Sequence, residues 1–169
     1  MKRFVYYSVV GVIVAICYLL ANSLSGILAA SALPVAQETL HKQKIYAYRE
    51  WQSVGVQVHV GERVQIQAEG EWLYTPGEYH GPAGHPRYPA PSFYPVSGVA
   101  GGVLIGKIGE NGTPFVVGRN NWGLTAANWS SSSRGQEEGL LYLRINDDIL
   151  SDNRGSVVVE VTVTPASER

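Results

Sequence analysis

The sequence predicts an all-β protein: a jelly-roll-like β-sandwich preceded by a single N-terminal transmembrane helix. Three observations carry this expectation. Apolar residues recur with period two from position 54 onward, the mark of strands with one buried face. Glycine is abundant at 19 residues and charge is sparse at 16%, a profile of turn-rich β domains. Residues 4–37 carry no formal charge.

The uncharged segment follows Lys2 and Arg3, begins at Phe4 and is most apolar up to Leu20. About 20 apolar residues cross a bilayer core, so residues 1–33 are expected to form a membrane anchor. The basic pair favours a cytoplasmic N-terminus with the C-terminal domain outside. A cleaved signal peptide is the alternative, and Ala30-Ser31-Ala32 offers a cleavage triplet. The apolar stretch nevertheless exceeds the about 7–15 residues of a signal core, and Tyr6, Tyr7 and Tyr18 suit a membrane interface. Cys17 is the sole cysteine, which excludes an intrachain disulfide and a cysteine-based zinc site. Bulky Ile16 before it argues against lipid attachment.

Residues 34–50 are mixed polar and are expected to be a linker, with residues 51–169 forming the domain. From Trp51 onward 8 Lys and Arg face 12 Asp and Glu. A mildly acidic surface has no attraction for phosphate backbones, so nucleic acid is excluded as a partner.

Within the domain, Val54, Val56, Val58 and Val60 alternate with polar or glycine positions. Gly61-Glu62 then suggests a turn, and Val64, Ile66 and Ala68 resume the alternation, which predicts a β-hairpin. A second pair joins 103–108 to 115–117 through Asn111-Gly112, a tight-turn signal. The last pair is 140–145 and 157–163. Six to nine strands are expected. Residues 75–98 and 119–138 look like long loops, and Trp122 and Trp129 in the second are read as packing residues rather than docking ones.

Oxygen-bearing side chains concentrate between the last two strands, at Asn146, Asp147, Asp148, Asp152 and Asn153. Calcium takes six to eight oxygen ligands, and this loop offers several; a solvated turn uses the same residue types. The run Asn146-Asp147 to Asp152-Asn153-x-Gly155 before a final alternating strand resembles the galactophilic bacterial lectins of the PA-I type. Gly61-Glu62-x-Val64-x-Ile66-x-Ala68-x-Gly70, Tyr74-x-Pro76, Gly81-Pro82-x-Gly84, His85-Pro86 and Gly102 to Gly109 resemble further motifs of that family, in order. The resemblance spans roughly residues 52–164.

The resemblance implies a calcium-dependent lectin. Tyr74 would give a backbone carbonyl to the ion, Asp147 a carboxylate, and Asp152 and Asn153 side-chain oxygens, with another carbonyl from near Ile149 or Leu150. Tyr74, His85, Pro86, Tyr88, Asp147 and Asp152 would line the sugar site, and galactose would be the sugar. The sequence departs from the family in a shorter 147–155 loop, in Asp152 where asparagine is usual, in Tyr88 where glutamine is usual, and in the anchor. The implied location is a bacterial cytoplasmic membrane, with the β-domain periplasmic or extracellular. Membrane lipid and a galactose-type glycan are the expected partners.

Other chemistries are weaker. Gly101 to Lys107 nearly matches a phosphate loop, but Val103-Leu104-Ile105 belongs in a buried strand. His80, His85 and Glu78 fit no standard zinc spacing. Adjacent Asp147 and Asp148 point apart on an extended segment, so no paired acids for glycoside cleavage arise, and no nucleophile elbow is present. The protein is read as non-catalytic. A rival reading is an accessory subunit of a larger membrane complex, of respiratory or photosynthetic type, that keeps the lectin-like fold.

Overall fold

The computed structural model describes residues 38–75, 77–125 and 138–166. The expected anchor, including Phe4 and Leu20, lies outside these residues, as does Trp129. No helix among the described residues is long and apolar enough to cross a membrane.

Among the described residues nine strands form: β1 (Thr39–Tyr46), β2 (Gln52–Val58), β3 (Arg63–Thr75), β4 (Glu78–His80), β5 (Leu104–Ile108), β6 (Phe115–Val116), β7 (Asn120–Thr125), β8 (Gly139–Ile145) and β9 (Arg154–Thr164). They make two antiparallel sheets, one ordered β1-β9-β3-β4 with β7 also on β3, the other β2-β8-β5-β6. The period-two pattern decides which side chains enter the core. On β9, Val157, Val159, Val161 and Val163 are buried while the alternate residues are half-exposed. They meet Val54, Val56, Val58, Leu141, Leu143 and Ile145 from the other sheet in one apolar cluster. Each such side chain contributes about 1.5–3 kcal/mol by leaving water.

Strand positions follow the alternation, but pairing does not follow sequence adjacency. β2 pairs with β8 and β3 with β9, so the expected hairpin across Gly61-Glu62 is a crossing between sheets. Both strands bury one face, and that is met equally by lying side by side or by facing each other across the core, so the alternation leaves the partner open. The crossing is closed locally, as Glu62 accepts the His59 N–H at 2.8 Å. The last two strands, β8 and β9, likewise lie in opposite sheets. Only β5 and β6 form the expected neighbours, with Ile105 opposite Val116.

Two further expectations are corrected. Residues 39–46, assigned to the linker, form β1 and pair with β9 along their whole length. Only one sheet edge is covered this way, so β1 needs few apolar residues; Ile45 and Ala47 enter the core, and Lys42 pairs with Glu160 at 2.7 Å on the exposed side. Residues 120–125, expected in a loop, form β7 against β3.

If β1 belongs to the domain, Ile45→Ala removes core volume and should cost about 2–5 kcal/mol in denaturant unfolding. Leu40→Ala, at a position 65% exposed, should stay within about 0.5 kcal/mol.

Candidate functional site

Three segments meet at one rim of the sandwich: the end of β3, the 146–153 loop after β8, and the long 81–103 connection between β4 and β5. Their meeting point is the fully buried Asn146. Its side-chain amide accepts from the Val96 N–H at 3.0 Å and donates to the Val96 carbonyl at 2.8 Å. Its backbone completes the clamp, accepting from Gly102 N–H at 2.9 Å and donating to the Val103 carbonyl at 2.8 Å. A buried amide so fully paired contributes through the cost of leaving it unpaired.

Gly101 and Gly102 pack on the ring of Tyr74. A Cβ at Gly102 would lie 2.6 Å from Tyr74 Cγ, and Gly102 holds a φ of +70°. The close approach also lets the fully buried Trp72 donate its indole N–H to the Gly102 carbonyl at 3.0 Å. Tyr74 sits at a register irregularity between Leu73 and Thr75 and has no opposite residue in β4 or β9. Its hydroxyl lies 3.1 Å from that of Tyr94.

Beside this ring opens a cleft of about 250 Å³ lined by Tyr74, Thr75, Tyr88, Tyr94, Asp147 and Asp152, among others. The resemblance-derived oxygen donors therefore converge: Tyr74, Asp147 and Asp152 share the cleft, and Asn153 bonds Asp147 from behind, its Nδ2 donating to Oδ2 at 2.7 Å. Asp147 is buried, and desolvation pushes its carboxyl above the usual carboxylate range, opposed by hydrogen bonds from Asn153, Tyr94 and the loop backbone. Burial also raises the Tyr94 hydroxyl. Among the described residues, the buried side-chain oxygens Asn153 Oδ1 and Thr75 Oγ1 have no hydrogen-bond partner. Below the cleft, Arg144 donates to the Asp147 carbonyl at 2.6 Å, to the Ile145 carbonyl at 3.0 Å and to Glu50.

His85 and Pro86 line an adjacent hollow rather than the Asp147 cleft, and Tyr88 borders both. The His85 ring stands 6.5 Å from that of Tyr74, edge to face. Both of its nitrogens are engaged: Nδ1 accepts from the Arg87 N–H at 3.2 Å, and Nε2 lies 3.2 Å from Glu78 Oε2. Sequence reading missed Asn146 as a clamp, and Tyr94 and Thr75 as cleft walls. Asn146 carried a signal, an amide directly after the largely apolar strand β8; Tyr94 and Thr75 carried none.

The domain shares its fold with a solved structure described as the EclA N-terminal domain, a PllA-like lectin. The two are 22% identical with a TM-score of 0.53, over 73% of this chain and 95% of the other. The fold is therefore lectin-like. No protein-family model matches the chain, and no curated protein matches it.

Asn146→Ala should cost about 2–3 kcal/mol by stranding the Val96 groups, read by thermal or denaturant unfolding. Gly102→Ala should cost about 3–5 kcal/mol, combining left-handed strain with overlap on Tyr74. Gly77→Ala, with φ +82° but nothing within 4 Å of a Cβ, should cost only about 1–2 kcal/mol.

Proposed function

We propose that this chain is a non-catalytic carbohydrate-binding module, tethered to a membrane by its N-terminal segment and dependent on calcium. One observation carries the reading: on a lectin-like fold, Asp147, Asp152, Tyr74 and Thr75 share one rim cleft, Thr75 Oγ1 there has no hydrogen-bond partner, and Asn153 stands against Asp147 with its Oδ1 likewise unpartnered. A cation would stabilise the buried Asp147 carboxylate beyond its hydrogen bonds and give the unpartnered Asn153 and Thr75 oxygens a partner. The donor set is all oxygen, which suits calcium rather than a softer metal.

Asp147, Asp152, Asn153 and the Tyr74 carbonyl would hold the ion. Bound calcium would supply open coordination positions for two neighbouring sugar hydroxyls in place of water. Galactose, with an axial hydroxyl beside an equatorial one, is the sugar we assign. Tyr88, shared by the cleft and the hollow, would pack on the ring, and His85 would meet a further hydroxyl on release from Glu78. Single sites of this kind bind weakly, so clustering in the membrane plane would supply avidity.

The test uses the full-length chain in detergent. Galactose should bind in calcium, lose binding in chelator and recover on adding calcium back, read by calorimetry. Asp147→Asn should weaken calcium at least about tenfold, since it removes the buried charge. Sugar binding indifferent to chelator would sink the calcium assignment. Absence of any sugar response, with the chain isolated in a fixed stoichiometric assembly, would favour the accessory-subunit reading.

A further inference from the structure

A second group of ligating side chains stands next to the rim cleft. Glu78 and His80 lie two apart on β4, so they share a face of the strand. His85 returns to the same place after a tight turn. Gly84 holds a φ of +78° there, and a Cβ on it would stand 2.7 Å from the Gly101 carbonyl oxygen. Gly84 N–H bonds the Gly81 carbonyl at 2.9 Å, and His85 N–H bonds the Gly101 carbonyl at 2.8 Å. The backbone thus fixes where His85 presents its ring.

The outcome is compact. Nε2 of His80 and Nε2 of His85 each lie 3.2 Å from the same oxygen, Glu78 Oε2. The rings are 4.4 Å apart, and one ligand atom from each of the three residues falls within 4.8 Å of the others. Both imidazoles are largely shielded, at 14% and 15% side-chain exposure, while Glu78 is open to solvent at 59%.

We propose that Glu78, His80 and His85 form a site for a d-block divalent cation of the zinc class, separate from the oxygen cleft. Zinc bonds to nitrogen and oxygen are about 2.0–2.2 Å, which makes the edge of a tetrahedron about 3.3 Å. Two of the three edges therefore already have the required length. The third, between the two imidazoles, is at most 4.8 Å and would shorten by movement of the rings on loading. Two nitrogens and one carboxylate oxygen exclude calcium and magnesium, which take oxygen shells, and select a borderline-soft ion. Three protein ligands leave the fourth position to water. Loading has a defined cost: the ion replaces the Nε2 proton of each ring. Each ring then carries its proton on Nδ1 and ligates as a neutral imidazole, and for His85 this gives up the 3.2 Å contact with the Arg87 amide.

Standard zinc spacings do not describe this trio, because a strand and a glycine turn, rather than a knuckle or helix, bring it together. The proposal does not rest on the sugar reading, but the two share His85: a zinc held through its Nε2 keeps that nitrogen from a sugar hydroxyl. Its test is therefore run without sugar and with calcium in excess, so the oxygen cleft is saturated.

The full-length, tag-free chain in detergent is stripped with chelator and titrated with Zn2+ by calorimetry. Co2+ is added in parallel and followed by its visible d–d absorption. One zinc per chain and an intense tetrahedral cobalt band are expected. Glu78→Gln, His80→Ala and His85→Ala should each weaken zinc at least about tenfold. Glu78 is exposed, so its variant keeps the fold even where a histidine variant does not. X-ray absorption on the zinc form should report two imidazoles. No saturable zinc uptake, or three variants that bind like the parent, overturns the proposal.

Discussion

The side-chain amide of Asn146 ties the middle of the long 81–103 connection to the end of β8. It pairs with both backbone groups of Val96, 50 residues away, in a reciprocal bond of the kind a strand neighbour would make. Because the amide is fully buried, water cannot substitute for either contact. The 81–103 connection would otherwise be a long surface excursion with its own backbone groups to satisfy. Anchored here, it becomes a wall, and the glycines that follow can press against Tyr74 and accept the Trp72 indole.

Two residues earlier, Arg144 plays the complementary part. Its guanidinium sits under Trp51 and reaches the carbonyls of Ile145 and Asp147 as well as Glu50. Burial pulls its pKa down while Glu50 and Asp147 oppose that pull. An arginine stays charged through such a shift. A fixed positive charge therefore lies beneath the loop that carries Asp147. It orients the carbonyl side of that residue and leaves the carboxylate to the cleft. The polar floor is thus divided between a cation that belongs to the protein and a buried carboxylate held by Asn153 and the loop backbone.

Strand positions were legible because burial imposes a period of two, and the period survives whatever the partner is. Partners were not legible. Val54 to Val58 and Val64 to Ala68 read as a hairpin by proximity, yet both faces are satisfied across the core instead. β1 was hidden because an edge strand can be polar: Lys42 and Lys44 keep that edge unattractive to another strand, and only Ile45 enters the core. The acidic 147–153 loop was visible as composition, and Tyr74 was placed beside it only by the family resemblance. No local signal announces Thr75 or Tyr94, whose roles arise from where the chain is carried. Glu78, His80 and His85 were each visible, but their spacing is meaningless until the Gly84 turn is known.

The span between Val96 and Asn146 has a practical side. A recess stitched from distant stretches of polypeptide cannot form in a half-collapsed chain, because every stretch must already be docked. Under the proposed function, retention on an immobilised glycan would then report conformational integrity along with affinity. In a display library, that single selection would discard misassembled clones and poor binders together, with no separate screen for foldedness.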